Sequence, residues 1–592
     1  MGLWRAWIAG REGRRNRRAA RAAARALLSG GPAPRRPGGL ALELSPTWVG
    51  DPGRGRALLA GRLRLAGEAA ALEGAADPWA LRLTSAGAVR ALHGHGWLDD
   101  LAAAGGRAAR GTAQAWVAGW LERHGEGRGL GRGPAWAPAA TGRRLRAWLE
   151  HAPWLLAGPG RAMAPRLGAS AAVQAGFLAR RWAAAPPGPE RFEALAGLVL
   201  AALAVEGAQA HLPEALAALE TSCDGLVDAE GALAGRNPEE LLEVFLCLTG
   251  AAAALRAARR EPQPAHAAAI ARIAPTLKAL RHADGGLARF HGGGAGPTGA
   301  LDLALAEAGV RARPRPGRPM GFVRLAARRT TVLVDAAAPP EGPLGHASTL
   351  AFELTSGRRP LIVSAGSGAG FGAGWRRHGR GTAAHATLEL EGASSSRLGR
   401  GARLAAPETE EPGLQERPAQ VTLAREGEGH AAGVLLSHDG WAASHGLVHM
   451  RRLGLSADGR MLMGEDALIA TTPAERRRFA AVAGRGGLPG IGFAVRFPLH
   501  PDVEVALDGG GREVAMRLRS GELWRLRPEG VLPMLEPAVY FDPARDAPRP
   551  TRAIVLAGRA TAPVHEIGWT LAKAEDTPVG LRDVALDEEV PA

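Results

Sequence analysis

The hydrophobic period of this chain changes once, at a short segment rich in proline and arginine. Up to about residue 310 the sequence is rich in alanine and leucine, and its apolar residues recur at helical spacing. After the segment RARPRPGRPMG, residues 311–321, apolar and polar residues alternate with the period of two that is typical of strands. The sequence therefore predicts a multidomain α and β protein, with residues 311–321 as the linker between a helical domain and a strand domain.

The part before the linker predicts antiparallel helical hairpins. Residues 97–124 carry tryptophans and leucines at recurring turns, and residues 191–223 read as two helices that meet near Pro213. Asn237 precedes Pro-Glu-Glu, which is a strong helix start. No strand pattern is evident between these helices, and no fixed-length repeat is evident. An α/α toroid or a superhelical array would satisfy this pattern. We assign the helical domain, as an α/α toroid, to residues 36–310.

The part after the linker predicts a C-terminal antiparallel β-sandwich over residues 322–575. Its strand patterns are joined by turns built from Gly, Asp-Gly and Ser-Gly, as in hairpins. Long antiparallel strands of this kind favour a sandwich. Residues 1–35 read as a basic helix, and residues 576–592 as an acidic tail. The strand patterns are FVRLAARRTTVLVDA, LAFELTSGRRPLIVSAG, ATLELEG, FAVRFPLHPDVEVALDGGGREVAMRLRSGELWRLRP and RAIVLAGRA.

Composition narrows the class of partner. The 592 residues carry a net charge of +15, and all but two of the 73 basic residues (Lys278 and Lys573) are arginine. A bias toward GC-rich codons explains much of this arginine, although a basic surface still attracts acidic polysaccharides. No nucleic-acid-binding motif is present, so we expect no nucleic-acid partner. No apolar run reaches the roughly 18–20 residues of a membrane span, and the N-terminus lacks a signal-peptide core.

Asn237 is a candidate site residue because the sequence contains only two asparagines. Its position before Pro-Glu-Glu makes it a good helix N-cap, which would contribute about 1 kcal/mol. An amide at a helix mouth could also donate a hydrogen bond to a substrate carboxylate. Both roles are compatible if the cap faces a cleft.

Three histidines are further candidates. His291 precedes a glycine run at 292–294, where backbone can approach a ligand closely, although a turn explains the glycines equally well. His346 and His385 each lie just ahead of a predicted strand, so both could stand at the same rim of a sheet. Histidine ligates metals and moves protons near neutrality. Three arginines between the latter two histidines suit anion binding: Arg376, Arg377 and Arg380.

Several of these segments carry a resemblance to a known family. RNPEELLEVFLCL, RHADGGLARFHGGGA, HASTLAFELTSGRRPLIVSAG and GTAAHATLELEG together look like the bacterial heparinase II/III-like proteins. The resemblance implies an N-terminal α/α toroid (an incomplete helical barrel) followed by a β-sandwich. It also implies a polysaccharide lyase that cleaves uronic-acid-containing glycans by β-elimination.

The resemblance assigns roles to individual residues. Asn237 would neutralise the uronate carboxylate, with Arg236, Arg376, Arg377 and Arg380 as further substrate contacts. Preorganised donors of this kind supply about 3–4 kcal/mol each. His385 would act as acid or base and, in metal-containing relatives, as a zinc ligand together with a residue at the position of His346. A positioned acid and base add roughly 10²–10⁴-fold in rate.

The sequence also departs from the family pattern. Of the family's His-x-His-x-Asp motif only His346 fits, and Ser364 stands where an aspartate is frequent. Two of three expected metal ligands would remain, too few for a tight zinc site. The helical half contains no tyrosine, because Tyr540 lies in the strand half. His291 or His282 would then have to replace the family's catalytic tyrosine.

These observations leave two functions open. The first is a polysaccharide lyase-like enzyme acting on an acidic polysaccharide. It requires no cofactor, and a structural zinc at His346 and His385 is an optional addition. The alternative is a catalytically degenerate glycan-binding or cell-envelope assembly protein on the same scaffold. The resemblance implies the cell envelope or periplasm, and the absence of a recognisable signal peptide makes the cytoplasm the alternative. The sequence does not predict the glycan, the oligomeric state or endo versus exo action.

Overall fold

A computed structural model of the chain describes residues 39–72, 77–127, 129–399, 413–426, 432–485, 488–545 and 547–574. The predicted basic helix (1–35) and acidic tail (576–592) therefore lie outside the described residues. The chain divides into two compact units. The first comprises the described residues up to Gly231, with Glu240–Ala274 and Gly299–Arg311. The second comprises Ala232–Glu239, Pro275–Thr298 and the described residues from Ala312 onward.

Helices dominate the chain up to the linker, as the helical period predicts. Small residues let two of them approach closely: a Cβ added to Gly197 would lie 2.4 Å from the Cα of Gly142. Within the described residues no helix is long and apolar enough to cross a membrane. The helices are α1 (Pro52–Leu59), α2 (Ala86–His93), α3 (Trp97–Ala104), α4 (Gly106–His124), α5 (Pro138–Glu150), α6 (Ala152–Leu155), α7 (Ala164–Arg181), α8 (Pro189–Ala204), α9 (Leu212–Leu226), α10 (Pro238–Ala257), α11 (Pro264–Ala279) and α12 (Ala300–Glu307).

Two details of the helical part differ from the sequence prediction. The expectation of no strands there is wrong, because Arg62–Leu65 (β1) and Glu68–Ala71 (β2) form an antiparallel hairpin. Its turn residues, Ala66 and Gly67, have φ of 46° and 87°, the left-handed geometry of a tight two-residue turn. The stretch 97–124 also forms two helices rather than one, since Gly105 takes a φ of 70° that ends α3.

The described part of the second unit contains three antiparallel sheets and one small two-stranded ribbon. The largest sheet has eight strands in the order β10-β11-β12-β13-β20-β17-β16-β15, and two four-stranded sheets have the orders β18-β19-β14-β7 and β3-β4-β5-β6. The strands are β3 (Phe322–Ala327), β4 (Thr330–Asp335), β5 (Phe352–Ser356), β6 (Arg359–Ile362), β7 (Leu388–Leu390), β8 (Arg397–Leu398), β9 (Leu414–Glu416), β10 (Val421–Glu426), β11 (Ala432–Trp441), β12 (Leu447–Leu455), β13 (Met461–Ile469), β14 (Ile491–Pro498), β15 (Glu504–Asp508), β16 (Glu513–Arg517), β17 (Leu523–Pro528), β18 (Pro533–Tyr540), β19 (Arg549–Ala560) and β20 (Val564–Lys573).

One continuous apolar core joins these sheets. The Trp569 ring stacks on Phe352 with centroids 5.8 Å apart and meets Phe497 edge-on at 4.9 Å, so one residue from each sheet contributes to the same cluster. Alternating burial along β12 and β14 places every second side chain in this core. The predicted fold class is therefore confirmed: helical hairpins precede an antiparallel β-sandwich. Three short helices complete the unit: α13 (Ala373–Gly379), α14 (Ala442–His445) and α15 (Pro473–Ala483).

Candidate functional site

Three of the predicted site histidines converge inside the second unit. The ring of His346 lies 5.2 Å from that of His385 and 6.0 Å from that of His291, centroid to centroid. His346 comes from the loop before β5, and His385 from the turn before β7. The sequence predicts both histidines at the same rim of one sheet; in the structure β5 and β7 belong to two different sheets, and the two rings nevertheless lie together. All three side chains are fully buried, at 0–1 % exposure.

Backbone hydrogen bonds determine which ring nitrogens carry protons. The N–H of Gly292 donates to Nε2 of His346 at 2.9 Å, so the neutral His346 ring is protonated at Nδ1. Nε2 of His385 lies 3.1 Å from the carbonyl oxygen of Gly379, which can only accept, so His385 is protonated at Nε2. Nδ1 of His346 is therefore a donor and Nδ1 of His385 an acceptor, and neither has a hydrogen-bond partner among the described residues.

Asp335, at the end of β4, anchors the cluster. Its carboxylate forms an ion pair with Arg236, accepts a hydrogen bond from Ser348 at 2.7 Å, and lies 3.4 Å from Nε2 of His291. The N–H of His346 donates to Nδ1 of His291 at 3.2 Å, which leaves the His291 proton on Nε2, facing Asp335. One connected polar network therefore runs from Arg236 through Asp335 and His291 to His346. Sequence analysis did not single out Asp335.

Burial keeps these histidines neutral. Desolvation lowers the pKa of His385 to about 4, and it lowers the pKa of His346 and of His291 below the usual value. The Arg236 guanidinium overcomes the desolvation of Asp335 and holds the pKa of that carboxyl well below its usual range. Contact of these imidazoles with a sugar would require the fold to open.

The Arg236 side chain forms several hydrogen bonds within the second unit. Its guanidinium donates to the carbonyl oxygens of Met320 at 3.0 Å and of Ala338 at 2.6 Å, besides the Asp335 ion pair. Such a set of acceptors makes Arg236 an anchor for the linker region. Its predicted contact with substrate stays a prediction.

Backbone strain concentrates around Asp335. Arg236, His291 and Met320 have φ of 51–55°, and Leu350, whose N–H donates to the Asp335 carbonyl oxygen at 2.9 Å, has φ of 64°. Residues other than glycine rarely adopt this left-handed conformation, at a cost of about 1–3 kcal/mol each. Strain of this kind clusters at functional sites, and the packing around Asp335 maintains it here.

Asn237 caps helix α10. Its Oδ1 accepts a hydrogen bond from the N–H of Glu239 at 3.0 Å, and its side chain is only 4 % exposed. The glycine run approaches it closely: a Cβ on Gly293 would lie 2.4 Å from Oδ1 of Asn237. The N–H of Gly294 donates to the Glu239 carboxylate at 2.6 Å. The cap role is therefore observed, and the glycines are explained by close packing against this helix start.

The three predicted anion-binding arginines have different environments. Arg380 is buried, and its Nε donates to the carbonyl oxygen of Gly345 at 3.0 Å. Arg376 is half-buried, and together with Arg380 it lowers the pKa of His346. Arg377 is exposed on α13. Arg377 is thus the best placed of the three to meet a partner in solvent.

Sequence analysis named His282 and Tyr540 separately, and the structure brings them into a second polar cluster that the sequence did not predict. The buried Glu353 carboxylate contacts Nε2 of His282 at 3.1 Å and accepts from the N–H of Arg289 at 3.1 Å. The Arg289 guanidinium donates to the Tyr540 hydroxyl at 2.5 Å and lies 4.0 Å from its ring centroid. The single tyrosine of the chain therefore lies beside the 281–296 segment, although the two are about 250 positions apart. No local pattern signals that contact, but the rarity of tyrosine could have flagged Tyr540.

The zinc site was predicted at His346 and His385, and His291 is the third imidazole near them. Among the residues that the structure describes, no group of three or more His, Cys, Asp or Glu side chains is arranged to hold a metal ion. Structural zinc takes four protein ligands and catalytic zinc three. Ser348 and Ser364 occupy positions where the family pattern has acidic ligands, so the donor set does not fit zinc.

Comparison with known proteins agrees with this architecture. The family described as "Heparinase II/III-like, C-terminal" matches residues 310–570. FtsZ-localized protein C of Caulobacter vibrioides (strain NA1000 / CB15N) is 31 % identical over 553 residues, covering 91 % of each chain.

Solved structures extend the fold likeness to both parts of the chain. Heparinase III superimposes with a TM-score of 0.64 at 12 % identity, covering 92 % of this chain and 88 % of that one. A mutant of heparan sulfate lyase HepC from Pedobacter heparinus gives a TM-score of 0.55 at 14 % identity, covering 89 % and 83 %. At these identities the likeness shows the fold alone. With the full-length relative and the family match, it means that the chain belongs to the heparinase II/III-like family.

Proposed function

We propose that this chain is a non-catalytic member of the heparinase II/III-like family that works with FtsZ. Its 31 % identity to FtsZ-localized protein C extends over 91 % of both chains, so it includes the helical part and the strand part together. The likeness to polysaccharide lyases is far lower in sequence, at 12–14 % identity. The fold alone does not carry the lyase activity across that distance.

The burial of the histidine cluster is the observation that carries the proposal. A general acid or base must come within about 3 Å of the proton that it transfers. His291, His346 and His385 are 0–1 % exposed, and Asn237 is 4 % exposed. The residues that would perform β-elimination therefore serve as a packed polar core. This arrangement is what the degenerate alternative predicts.

A polysaccharide lyase acting on a uronic-acid-containing glycan is the second candidate. The unpartnered Nδ1 atoms of His346 and His385, one a donor and one an acceptor, favour it, because buried polar atoms without partners often mark a site of exchange. Arg376, Arg377 and Arg380 would then bind the acidic polysaccharide. This function requires the loops that carry the histidines to open.

The proposal also concerns location and cofactor. Localisation with FtsZ would place the chain in the compartment that holds FtsZ, which favours the cytoplasm over the periplasm. The proposal includes no zinc, because the described residues around His346 and His385 supply too few ligands for one.

The test is the position of a fluorescent fusion of the full chain in its native cells, imaged together with labelled FtsZ. We expect the two signals to overlap at the division site and to disperse together when FtsZ is depleted. A His385→Gln fusion is the matched variant, and we expect it to localise normally. A wild-type fusion that is distributed independently of FtsZ would overturn the proposal.

A further inference from the structure

One buried arginine of the eight-stranded sheet reaches the two loops that carry His346 and His385. Arg451, on β12, is fully buried, and its Nη1 donates to the carbonyl oxygen of Leu350 at 2.9 Å and to that of Ala386 at 2.7 Å. Ala386 directly follows His385, and Leu350 is four residues after His346 in the loop before β5. Because β5, β7 and β12 belong to three different sheets, this guanidinium joins three sheets beside the histidine cluster.

A buried carboxylate fixes the orientation of that guanidinium. Asp466, on β13, accepts from Nε of Arg451 at 2.8 Å and from Nη2 at 3.0 Å, so Nη1 is directed at the two carbonyl oxygens. Nε2 of His449 donates to Asp466 at 2.7 Å, since a carboxylate can only accept, and Nε1 of Trp569 donates to it at 3.0 Å. The carboxylate thus has four donor contacts, and its bidentate pairing with Arg451 adds geometric specificity.

The loop that Arg451 holds has a strained backbone. Leu350 has φ of 64°, a left-handed conformation that residues other than glycine rarely adopt. Both of its main-chain polar groups are bonded: the N–H donates to the Asp335 carbonyl oxygen at 2.9 Å, and the carbonyl oxygen accepts from Arg451. A strained conformation persists only where the surrounding contacts over-determine it. Loss of the Arg451 bond therefore allows the loop from His346 to Leu350 to relax.

We propose that Arg451 is a latch that keeps the histidine cluster closed, and that its release exposes His346 and His385 while the sheets stay folded. The strands that follow the two loops, β5 and β7, bury every residue, so their packing does not depend on the two carbonyl bonds. A polysaccharide lyase on this chain would need the open state. This inference rests on the proposed function, because it names the side chain that maintains the closed cluster.

The experiment measures the rate at which diethyl pyrocarbonate modifies individual histidines of the folded full chain, read by peptide mass spectrometry. The test variants are Arg451→Met, which removes both carbonyl bonds, and Arg451→Lys, which keeps a positive charge beside Asp466. The matched control is Arg144→Met in the first unit, because Arg144 is also fully buried and donates to the carbonyl oxygen of Ala135 at 3.2 Å. The exposed His378 gives the rate of an accessible histidine in every sample.

We expect His346 and His385 to be modified at least about ten-fold faster in Arg451→Met than in wild type, because a hydrogen bond from a charged donor contributes about that factor to the closed state. The rates in Arg451→Lys should lie between those two, and the matched control should equal wild type. His282, buried in the second unit, and His266, buried in the first, should stay slow in both Arg451 variants.

Equal rates at His346 and His385 in wild type and Arg451→Met would overturn the latch. If His282 and His266 accelerate together with them in both Arg451 variants, the latch is also overturned, because Arg451 then serves the stability of the whole chain. The localisation of wild type decides the proposed function separately. A wild-type fusion that ignores FtsZ overturns that function, and the histidine rates still decide whether Arg451 is the latch.

Discussion

The main-chain N–H of His346 donates a 3.2 Å hydrogen bond to Nδ1 of His291, and this bond turns the remaining proton of His291 toward Asp335. The two histidines are 55 positions apart in the sequence, on either side of the linker. Their contact links the segment before the linker to the sheet after it within the second unit.

Removing the charge of Asp335 should destabilise the chain strongly. Asp335→Asn leaves the buried Arg236 guanidinium without its carboxylate, and breaking a buried pair typically costs about 3–5 kcal/mol. Urea unfolding monitored by tryptophan fluorescence measures the loss. Glu416→Gln is the matched control, because it breaks the exposed Arg397–Glu416 pair, whose side chains are 64 % and 66 % exposed. Equal effects of the two substitutions would refute the anchoring role of Asp335.

A series of Asn237 substitutions tests whether this side chain acts as the helix cap. Asn237→Ala should lower the free energy of unfolding by about 1 kcal/mol, because the Glu239 N–H loses its acceptor. Asn237→Ser and Asn237→Asp keep a capping oxygen and should restore most of that stability. Thermal unfolding of the three variants gives the comparison. A series in which Ser and Asp are as unstable as Ala would show that the cap is not the role of Asn237.

The buried histidines should make the chain acid-sensitive. In the unfolded state these rings take up protons as the pH falls through about 6.5, whereas the folded His385 ring, with a pKa of about 4, stays neutral. Because the unfolded state binds more protons in this window, stability falls as the pH falls from 6.5 to 4. The neutral His385 ring alone accounts for a decrease of about 3 kcal/mol in the free energy of unfolding over this pH range.

His385→Gln tests that contribution directly. The glutamine does not titrate, so its stability should decline less than that of wild type between pH 6.5 and 4. Chemical denaturation at a series of pH values measures both curves. Parallel curves would mean that His385 does not stay neutral in the folded state.

Close packing of β13 on the sandwich core gives a further prediction. A Cβ on Gly464 would lie 2.0 Å from the buried Trp569 ring, so Gly464→Ala should cost about 1–3 kcal/mol or more. Gly454→Ala on the neighbouring strand is the control, because its nearest neighbour is the flexible end of Met463 at 3.6 Å. Differential scanning calorimetry should show a lower melting temperature for the first variant only. Similar melting temperatures would show that the Trp569 ring can move aside.

The hydrophobic period alone predicted the two-part fold. A helix that buries one face repeats its apolar residues about every 3.6 positions, and a strand that buries one face repeats them every second position. The same rule missed the β1–β2 hairpin, whose strands are only four residues long and too short to show a clear alternation. The Asn237 cap was predictable for the same local reason, since Asn-Pro-Glu-Glu is a complete helix start.

The site was predictable only in part. The sequence placed His346 and His385 ahead of strands and so pointed to a shared rim, but β5 and β7 lie in different sheets, and tertiary packing brings the two rings together. Their burial was not predictable, since it depends on packing from distant segments. The ion pair of Arg236 with Asp335 and the contact of Arg289 with Tyr540 join residues about 100 and 250 positions apart, and no local pattern encodes either.

The most direct test of the central claim is an assay of β-elimination. Wild type is incubated with a panel of acidic polysaccharides, heparinase III serves as the positive control, and the ultraviolet absorbance of the unsaturated uronate product is followed. A chain whose histidine cluster is closed to substrate should give no increase on any polysaccharide. An increase with wild type that is lost in both His385→Ala and Asn237→Ala would contradict the account, and would establish the chain as a lyase.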